Sequence, residues 1–315
     1  MAAHIEAVIP CFNEQDCIVP LYEKMVSVFD GMEDVTFSIL FVNDGSTDQT
    51  LDSIRSLAEE KGRDVIRYIS FARNFGKEAA IYAGLSRCRG DYIVLMDADL
   101  QHPPDLIPEM LAETEKGHDC CGARRVSRKG EPLFRSLFSK MFYKIINHIT
   151  SMELVPGGSD FRLMSKQMAD AVVSLTERER FTKGIMSWVG FDTVWIEYEN
   201  VERVAGTSKW SFFSLVKYAW SGFVSFATAP LRAVIYMGMI IVFIDFIYAV
   251  QIFVGAVAGG GERTGFATTI ILIMFFGGVI ITILGVIGEY MSRIYMELKH
   301  RPIFIEKETN IENNE

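Results

Sequence analysis

Short apolar runs alternate with amphipathic stretches over roughly the first 125 residues of this 315-residue chain. The runs are typical of buried strands, and the stretches between them of helices with one apolar face. This alternation predicts an α/β domain with a mostly parallel, doubly wound sheet and right-handed crossovers. The predicted strands are Ile5–Ile9, Phe37–Val42, Val65–Ser70, Tyr92–Met96 and Asp119–Cys121, and the predicted helices include Ile18–Phe29 and Thr50–Lys61.

Two longer apolar runs follow towards the C-terminus. The first, Ala233–Ala258, has Asp245 as its single charged residue, and the second, Phe266–Ile287, has none. Helices of about 26 and 22 residues would reach about 39 and 33 Å, enough to cross a hydrocarbon core of about 30 Å. The runs therefore predict two transmembrane helices, the alternative being two buried helices in a soluble protein. Asp245 is predicted to hydrogen-bond to a partner helix.

The connector between the apolar runs is short, so the two helices are expected to form a hairpin with both flanks on one side of the membrane. The flanks carry the basic residues, which predicts that this side is cytoplasmic. Those residues are Lys217, Arg232, Arg293, Lys299 and Arg301. We therefore expect a protein of the plasma membrane with two spans, whose large domain and both termini are cytoplasmic.

The predicted domain boundaries follow from these patterns. Residues 1–208 are expected to form the cytosolic domain, and residues 209–231, rich in aromatic side chains, to form interfacial amphipathic helices. The hairpin is expected over residues 232–288 and a cytosolic tail over residues 289–315. The end of that tail, Glu306–Glu315, is predicted to be disordered because it is polar and charged.

Composition narrows the classes of function. Lys and Arg number 31 against 40 Asp and Glu, and the formal net charge of −9 argues against a nucleic-acid partner. The five cysteines are odd in number and lack the spacing of zinc ligands, so they are expected to be reduced and packed in the interior. Gly277, Gly278 and Gly285 would permit close helix contact and hence a homo-oligomer.

A pair of carboxylates follows the predicted strand Tyr92–Met96. If the chain stays extended there, Asp97 and Asp99 project from the same side and can share one hard divalent cation, Mg²⁺ or Mn²⁺, with positions left for phosphate oxygens. The sequence contains neither a Walker sequence nor a Gly-x-Gly-x-x-Gly loop for phosphates. We therefore expect the cation to bridge a diphosphate and to stabilise it as a leaving group.

Other polar side chains follow the first two predicted strands. Asp44 comes directly after the second strand, where a carboxylate can accept hydrogen bonds from a base or a ribose. Asp48 has two readings, as a cap of the helix that follows or as a ligand, and the sequence favours neither.

Several short motifs occur in a fixed order along the chain. They are Pro10–Glu14, Asn43–Asp48, Asn74–Lys77, Asp97–Pro103, Gly158–Leu163 and Arg203–Trp210, followed by the two apolar runs. Together they resemble family 2 glycosyltransferases with the A-type nucleotide-sugar fold. More narrowly, the chain is similar to polyprenyl-phosphate glycosyltransferases, the group that includes dolichyl-phosphate mannose synthases and bactoprenol glucosyltransferases.

The resemblance implies a role for each matching residue on the donor side. Pro10, Phe12, Glu14 and Asp44 would hold the nucleoside. The diphosphate and its Mg²⁺ or Mn²⁺ would be bound by Asp97, Ala98, Asp99 and Gln101, of which Asp97, Asp99 and Gln101 are the metal ligands. His102 is expected to pack beside this site rather than to bind the metal.

On the acceptor side, the resemblance implies basic residues that grip a lipid phosphate. The candidates are Arg124, Arg125 and Arg135, with Ser139 nearby, and Arg203 and Lys209 on a segment that would close over the phosphates. Arginine suits this task because its planar guanidinium makes bidentate bonds to phosphate. For Arg124, Arg135 and above all Arg125, the alternative is a solvated basic face near anionic lipid. The residues expected at the reaction itself are Asp99, Asp160, Arg135 and Arg203, with Asp160 acting either as a base or as an orienting group.

The implied reaction is an inverting transfer of a hexose from a nucleotide sugar, with UDP-glucose preferred, to undecaprenyl phosphate. The product would be a polyprenyl monophosphosugar for modification of cell-envelope glycans. A phosphate monoester with a second pKa of about 6 is already anionic at neutral pH, so no dedicated base is required. The alternatives are a processive polysaccharide synthase, whose Gln-x-x-Arg-Trp motif is missing from this sequence, and a non-catalytic membrane anchor.

Overall fold

The computed structural model describes residues 3–125, 155–198, 229–257 and 265–312. These residues fall into two compact units. One unit joins the residues before position 220 to those from Pro302 onward, and the other lies between positions 220 and 301. The first unit therefore contains segments from both sides of the apolar runs.

A mixed, mostly parallel sheet forms the centre of the first unit. Its described strands are β1 Ala3–Cys11, β2 Val35–Asn43, β3 Ile66–Phe71, β4 Tyr92–Leu95, β5 Cys120–Arg125, β6 Gly158–Ser165, β7 Thr193–Tyr198 and β8 Glu306–Thr309. They lie in the order β7-β5-β6-β4-β1-β2-β3-β8, in which β4, β1, β2 and β3 are parallel neighbours and β7 is parallel to β5. Strands β6 and β8 run antiparallel to their neighbours.

Helices cover this sheet because its central strands are apolar on both faces. All six residues of β3 are buried, and so are the three last residues of β4. Such strands need a covering layer on each side. The helices in the described part of this unit are α1 Ile18–Phe29, α2 Thr50–Lys61, α3 Lys77–Arg87, α4 Ile107–Glu115, α5 Lys166–Ser174 and α6 Thr182–Trp188, with a 3₁₀ turn at Pro104–Leu106.

The predicted α/β class and mostly parallel sheet are confirmed, with differences at the ends of strands. The strand predicted over Asp119–Cys121 continues to Arg125, and the one predicted over Tyr92–Met96 ends at Leu95. All five cysteines are buried and unpaired, as expected. Burial raises the pKa of the Cys88 thiol to about 12 and does the same for Cys121, which keeps both in the unreactive thiol form.

The prediction of a disordered tail is wrong for the described part of Glu306–Glu315. Strand β8 pairs antiparallel with β3 at the edge of the sheet. The Glu308 carboxylate accepts hydrogen bonds from Arg55 Nη2 and from Arg55 Nε, the latter at 2.8 Å. It also accepts one from the Tyr68 hydroxyl at 2.8 Å. The Asn310 side chain accepts from the Tyr68 N–H and donates to the Ile66 carbonyl. Charged and polar residues thus order the tail through specific pairing, which composition alone does not reveal.

The tail also reaches the chain that leaves β3. The Phe304 ring stacks on Phe71 with 4.9 Å between centroids, and the Ala72 N–H donates to the Ile305 carbonyl at 3.0 Å. Because Phe71 ends β3, these contacts fix the start of the loop that leads to α3.

The second unit consists of two long helices in its described part, α7 Ala229–Val257 and α8 Phe266–Leu298. The part of α8 over Leu272–Leu298 is long and apolar enough to cross a membrane. In α7 the corresponding apolar stretch, Tyr236–Tyr248, is shorter. Helix α8 continues well beyond Ile287, where the sequence predicted the span to end, and its later turns carry an ion pair between Glu289 and Arg293. The segment predicted to form interfacial helices, 209–231, lies almost entirely outside the described residues.

Replacing Glu308 with Gln is expected to lower the free energy of unfolding by about 1–2 kcal/mol, since a partly exposed, charge-assisted hydrogen bond is lost. The hydrogen bond from Arg55 lowers the pKa of Glu308 to about 2. The pKa of Glu in an unfolded chain is about 4.3, so this stabilisation is present above that pH and disappears as the pH falls towards 2. Melting curves of the wild type and E308Q should therefore converge on acidification.

The matched control is Glu312→Gln, which removes the charge of another glutamate in the same tail. Glu312 is exposed and lies 3.5 Å from Arg63. We expect little change in melting for E312Q. Equal losses at positions 308 and 312 would contradict a specific role for the pairing of Glu308 with Arg55.

Candidate active site

The predicted donor-side polar residues lie in loops at one edge of the sheet, whereas Asp160 lies in β6 and Arg124 near the end of β5. The parallel strands β1, β2 and β4 end at that edge, so the loops that follow them are neighbours. The loop after β3 joins them through the contacts of Asp44. In open α/β sheets this edge is the usual place for a ligand.

Asp44 anchors the loop between β3 and α3. The Asp44 side chain is buried, and its two carboxylate oxygens accept hydrogen bonds from the Phe75 N–H at 2.6 Å and the Gly76 N–H at 2.9 Å. Burial raises the pKa of Asp44, although these two N–H groups and Arg73 oppose the increase. The sequence predicted that this carboxylate binds the nucleoside. In the structure it holds the loop between β3 and α3.

The loop after β2 and the loop between β3 and α3 touch so closely that position 45 requires glycine. Gly45 has φ +64°, and a Cβ atom there would overlap the backbone of Arg73 and Asn74. Glycine is the residue that adopts this conformation at no steric cost. Gly45 therefore allows Asp44 to reach the N–H groups of Phe75 and Gly76.

The loops after β1 and β2 are joined by side chains that the sequence argument did not use. The Asn13 N–H donates to Ser46 Oγ at 3.0 Å, and Asn13 Oδ1 accepts from the Thr47 N–H at 2.8 Å. Asp48 accepts from the Thr50 N–H at 3.0 Å, which agrees with the capping alternative for that residue. The predicted nucleoside residues of the first loop lie here as well, partly buried: Pro10 at the end of β1, with Phe12 and Glu14 after it.

Asp97 and Asp99 lie on a turn, so the expectation of an extended chain at this point is wrong. Strand β4 has ended at Leu95, residues 98–99 form a turn, and Leu100 has φ +58°. A non-glycine residue in this left-handed region carries backbone strain, which is often found at functional sites. Asp99 Oδ1 accepts from the Gln101 N–H at 3.1 Å, and Ala98, within the turn, is buried.

Lys77 lies between two of the carboxylates and was not among the predicted site residues. Its Nζ is 2.6 Å from Asp97 Oδ1 and 2.7 Å from Asp160 Oδ2. Lys183 Nζ lies 3.6 Å from Asp160 Oδ1 and donates to the Gly158 carbonyl at 3.0 Å. The four side chains form a row of alternating charge, Lys183–Asp160–Lys77–Asp97, which we call the charge row.

Two members of the charge row, Asp160 and Lys77, have pKa values that favour their ionised forms. Burial alone would raise the pKa of Asp160, but the positive charges of Lys183 and Lys77 outweigh it and hold that pKa well below the usual range. Partial removal from water would lower the pKa of Lys77, but Asp160 and Asp97 outweigh this effect and raise that pKa. A carboxylate with a lowered pKa is a weak proton acceptor, so this environment disfavours Asp160 as a general base.

His102 packs under the turn, as the sequence argument expected. Its ring is buried, stacks on Phe161 with 5.4 Å between centroids, and accepts at Nδ1 from the Asp97 N–H at 3.4 Å. Burial lowers the pKa of His102 and favours the neutral ring.

Of the predicted acceptor residues, the structure describes Arg124 and Arg125, which lie at the end of β5. Arg124 is partly exposed, with Nη1 4.0 Å from Glu197 Oε1. The remaining candidates, Arg135, Ser139, Arg203 and Lys209, lie outside the described residues, and their roles stay predictions. The structure thus describes the predicted donor-side residues, whereas most of the predicted acceptor-side residues are known from sequence alone.

The donor set suits a hard divalent cation whose shell is completed by a substrate. Among the described residues, no group of three or more His, Cys, Asp and Glu side chains could enclose a metal. Asp97 and Asp99 offer carboxylate oxygens on one short turn, and the Asp97 side chain is about one-third exposed. Mg²⁺ is commonly held in this way, by one or two carboxylates and the phosphates of the substrate. The metal roles of Asp97, Asp99 and Gln101 stay predictions.

Comparison with known proteins gives consistent matches. The family described as Glycosyl transferase family 2 matches residues 6–173. Protein CsbB of Bacillus subtilis (strain 168), which carries a glycosyltransferase name, is 44% identical and covers 99% of this chain and 93% of its own. The bactoprenol glucosyl transferase of Shigella phage SfV is 38% identical and covers 96% of this chain and 98% of its own.

Among solved structures, glucosyl-3-phosphoglycerate synthase from Mycobacterium tuberculosis, in complex with Mn²⁺, UDP-glucose and phosphoglyceric acid, is 16% identical. The match covers 69% of this chain and 76% of that one, with a TM-score of 0.47. A similarity at this level supports no conclusion about function.

Replacing Asp44 with Asn is expected to release the loop between β3 and α3, because an amide nitrogen cannot accept one of the two N–H bonds. The loss of a buried acceptor should cost about 1–3 kcal/mol of stability. Hydrogen exchange at the Phe75 and Gly76 amides should become at least about tenfold faster. Asp105→Asn, which affects an exposed pair with Lys24, is the control. Unchanged exchange at both amides in D44N would contradict the anchoring role.

Proposed function

Since the chain belongs to glycosyl transferase family 2, we propose that it transfers a hexose from a nucleotide sugar to a polyprenyl phosphate at the cytoplasmic face of the plasma membrane. The observation that carries this proposal is the 38% identity to a bactoprenol glucosyl transferase over 96% of the chain. The match extends beyond the α/β unit into the apolar helices. UDP-glucose and undecaprenyl phosphate are the proposed substrates, and cell-envelope glycan modification is the proposed use of the product.

The donor is proposed to bind at the edge of the sheet where Asp44 and the charge row lie. Pro10, Phe12, Glu14 and Asp44 are proposed to contact the nucleoside, with Ala98 beside the diphosphate. What supports this assignment is that the loops after β1, β2 and β3 are tied together by hydrogen bonds of Asn13 and Asp44. A pre-formed site of this kind avoids the cost of ordering loops when the donor binds.

Asp97, Asp99 and Gln101 are proposed to hold Mg²⁺ or Mn²⁺ together with the donor diphosphate. A divalent cation in this place would offset the charge that develops on the nucleoside diphosphate as it leaves. The protein contributes the position of Asp99, whose carboxylate is oriented by the Gln101 N–H.

The transfer is proposed to proceed by one displacement with inversion and without a dedicated base. The acceptor phosphate is already an anion near neutral pH, so the task of the protein is to align two phosphate groups that repel each other. Arg124, Arg135, Ser139, Arg203 and Lys209 are proposed to hold the acceptor phosphate. The low pKa of Asp160, caused by Lys183 and Lys77, supports an orienting role for this carboxylate.

The apolar helices are proposed to cross the membrane twice, within the domain boundaries predicted from sequence. The support for an even number of crossings is that residues before position 199 and from Pro302 onward belong to one compact unit. If α8 crosses the membrane, a second crossing is needed to return the chain to the side where that unit lies. The apolar stretch Tyr236–Tyr248 in α7 is the proposed core of the other span.

We expect purified full-length protein to convert UDP-glucose and undecaprenyl phosphate, in the presence of Mn²⁺, to a lipid whose mass corresponds to hexosyl phosphate undecaprenol. Asp99→Asn should lower kcat by at least about 100-fold, because stabilisation of the leaving group is impaired. The control variant Asp105→Asn should remain active. UDP-N-acetylglucosamine, UDP-galactose and GDP-mannose complete the donor panel.

Absence of product with every donor, under conditions in which a bactoprenol glucosyl transferase is active, would favour a non-catalytic anchor. A polymeric product would favour a processive synthase. Full activity of D99N would reject the proposed metal site while leaving the transfer reaction intact.

Two crossings predict that the connector near residue 260 is outside the cell and the tail inside. A membrane-impermeant maleimide should label Gly260→Cys in intact cells and Glu312→Cys only in inverted vesicles. The five native cysteines are buried, so they should give little background. Labelling of both positions from the same side would contradict the hairpin.

A further inference from the structure

Lys77 is a cationic side chain that touches a predicted metal ligand, Asp97. It is the first residue of α3, and its Nζ contacts Asp97 and Asp160 at once. The two carboxylate oxygens that share this nitrogen are therefore at most about 5.3 Å apart. Without a cation between them, their negative charges would repel each other strongly.

The two carboxylates differ in what else balances them. Asp160 has a second cation, Lys183, at 3.6 Å. For Asp97, Lys77 is the only basic side chain within 4.0 Å in the part of the chain that the structure describes. If Lys77 moved away from Asp97 it would keep Asp160 as a partner, whereas Asp97 would need another cation.

We propose that Lys77 is a positioning residue that competes with the divalent cation for Asp97 and leaves this carboxylate when the donor diphosphate binds with its metal. This inference rests on the proposed function, because it assumes the metal site at Asp97 and Asp99. It adds a residue and a sequence of contacts that the proposed function does not contain.

Charge explains why such an exchange depends on the nucleotide. A divalent cation that approaches Asp97 alone meets the positive charge of Lys77, so its binding is weakened. A donor diphosphate brings negative charge that attracts both the divalent cation and the ammonium group of Lys77. Lys77 therefore couples metal binding to nucleotide binding, and by linkage each ligand increases the affinity for the other.

The site is accessible enough for this exchange. The side chains of Lys77 and Asp97 are 39% and 32% exposed, so a hydrated ion can reach Asp97 and the long lysine side chain has room to turn. Asp160 is less exposed and stays between Lys77 and Lys183. The carboxylate of Asp160 is thus the fixed partner of Lys77, and Asp97 the exchangeable one.

The test measures binding of Mn²⁺ alone to the full-length protein in detergent, by electron paramagnetic resonance, with and without UDP. Lys77→Met should bind Mn²⁺ alone about tenfold more tightly than the wild type, and UDP should improve its Mn²⁺ affinity less. Lys77→Arg keeps the charge and should stay within about twofold of the wild type. Lys166→Met is the matched control, because Lys166 also begins a helix and pairs with a carboxylate, Asp170.

A second variant should change the affinity in the opposite direction. Asp160→Asn leaves Lys77 with Asp97 as its one charged partner among the described residues, so Mn²⁺ alone should bind several-fold more weakly. If Lys77 had only a structural role, K77M and D160N would not change the Mn²⁺ affinity in opposite directions. If K77M does not fold, as judged by melting, the comparison of D160N with the wild type decides.

The outcomes separate the two hypotheses. Binding of Mn²⁺ to the wild type with unchanged affinity in K77M, or in D160N where K77M fails to fold, overturns the role of Lys77 and leaves the proposed function standing. Absence of Mn²⁺ binding to every variant, with UDP present, overturns the metal site itself and the inference with it. Tighter binding in K77M together with weaker binding in D160N supports the exchange.

Discussion

Negative charge collects at one edge of the sheet, and the rest of the candidate site depends on how it is compensated. Asp44, Asp97 and Asp160 all lie there, partly or fully removed from water, where an unpaired carboxylate is costly. The protein neutralises them in two ways. Backbone N–H groups of Phe75 and Gly76 hold Asp44, and ammonium groups hold the other two carboxylates. Apart from Lys183 in α6, the compensating groups come from the loop after β3 and the start of α3, so this short segment connects the parts of the site.

The positive groups near the candidate site lie on separate elements, and the sequence has no glycine-rich phosphate loop. Lys183 comes from α6, Lys77 from α3, and Arg124 from the end of β5. The elements that carry Lys183 and Lys77 are also tied to each other, because the Thr182 N–H of α6 donates to the Glu78 carboxylate of α3 at 2.8 Å.

Much of the fold could be predicted from sequence, and the limits have physical causes. Strands β1 to β4 are buried on both faces, so their apolar runs are plain. Strand β8 was missed because its stability comes from pairing of Glu308 with Arg55, which lies 253 residues earlier in the chain. Within the site, carboxylates at strand ends were recognisable, whereas Lys77 was not, since its partner Asp160 is 83 residues away. Local pattern reports burial, but it does not report which distant charge a side chain will meet.

The place of β8 in the chain has a consequence for synthesis. This strand completes the edge of the sheet next to β3, and its flanking residues Phe304 and Ile305 fix the start of the loop that carries Phe75 and Gly76. Yet β8 is encoded after both long apolar helices, so it leaves the ribosome after they do. The α/β unit can gain its last strand only when α7 and α8 have already been made. The α/β unit is therefore completed only after the apolar helices have been synthesised. A chain that stops before these helices would lack β8, and the edge of β3 would stay unpaired.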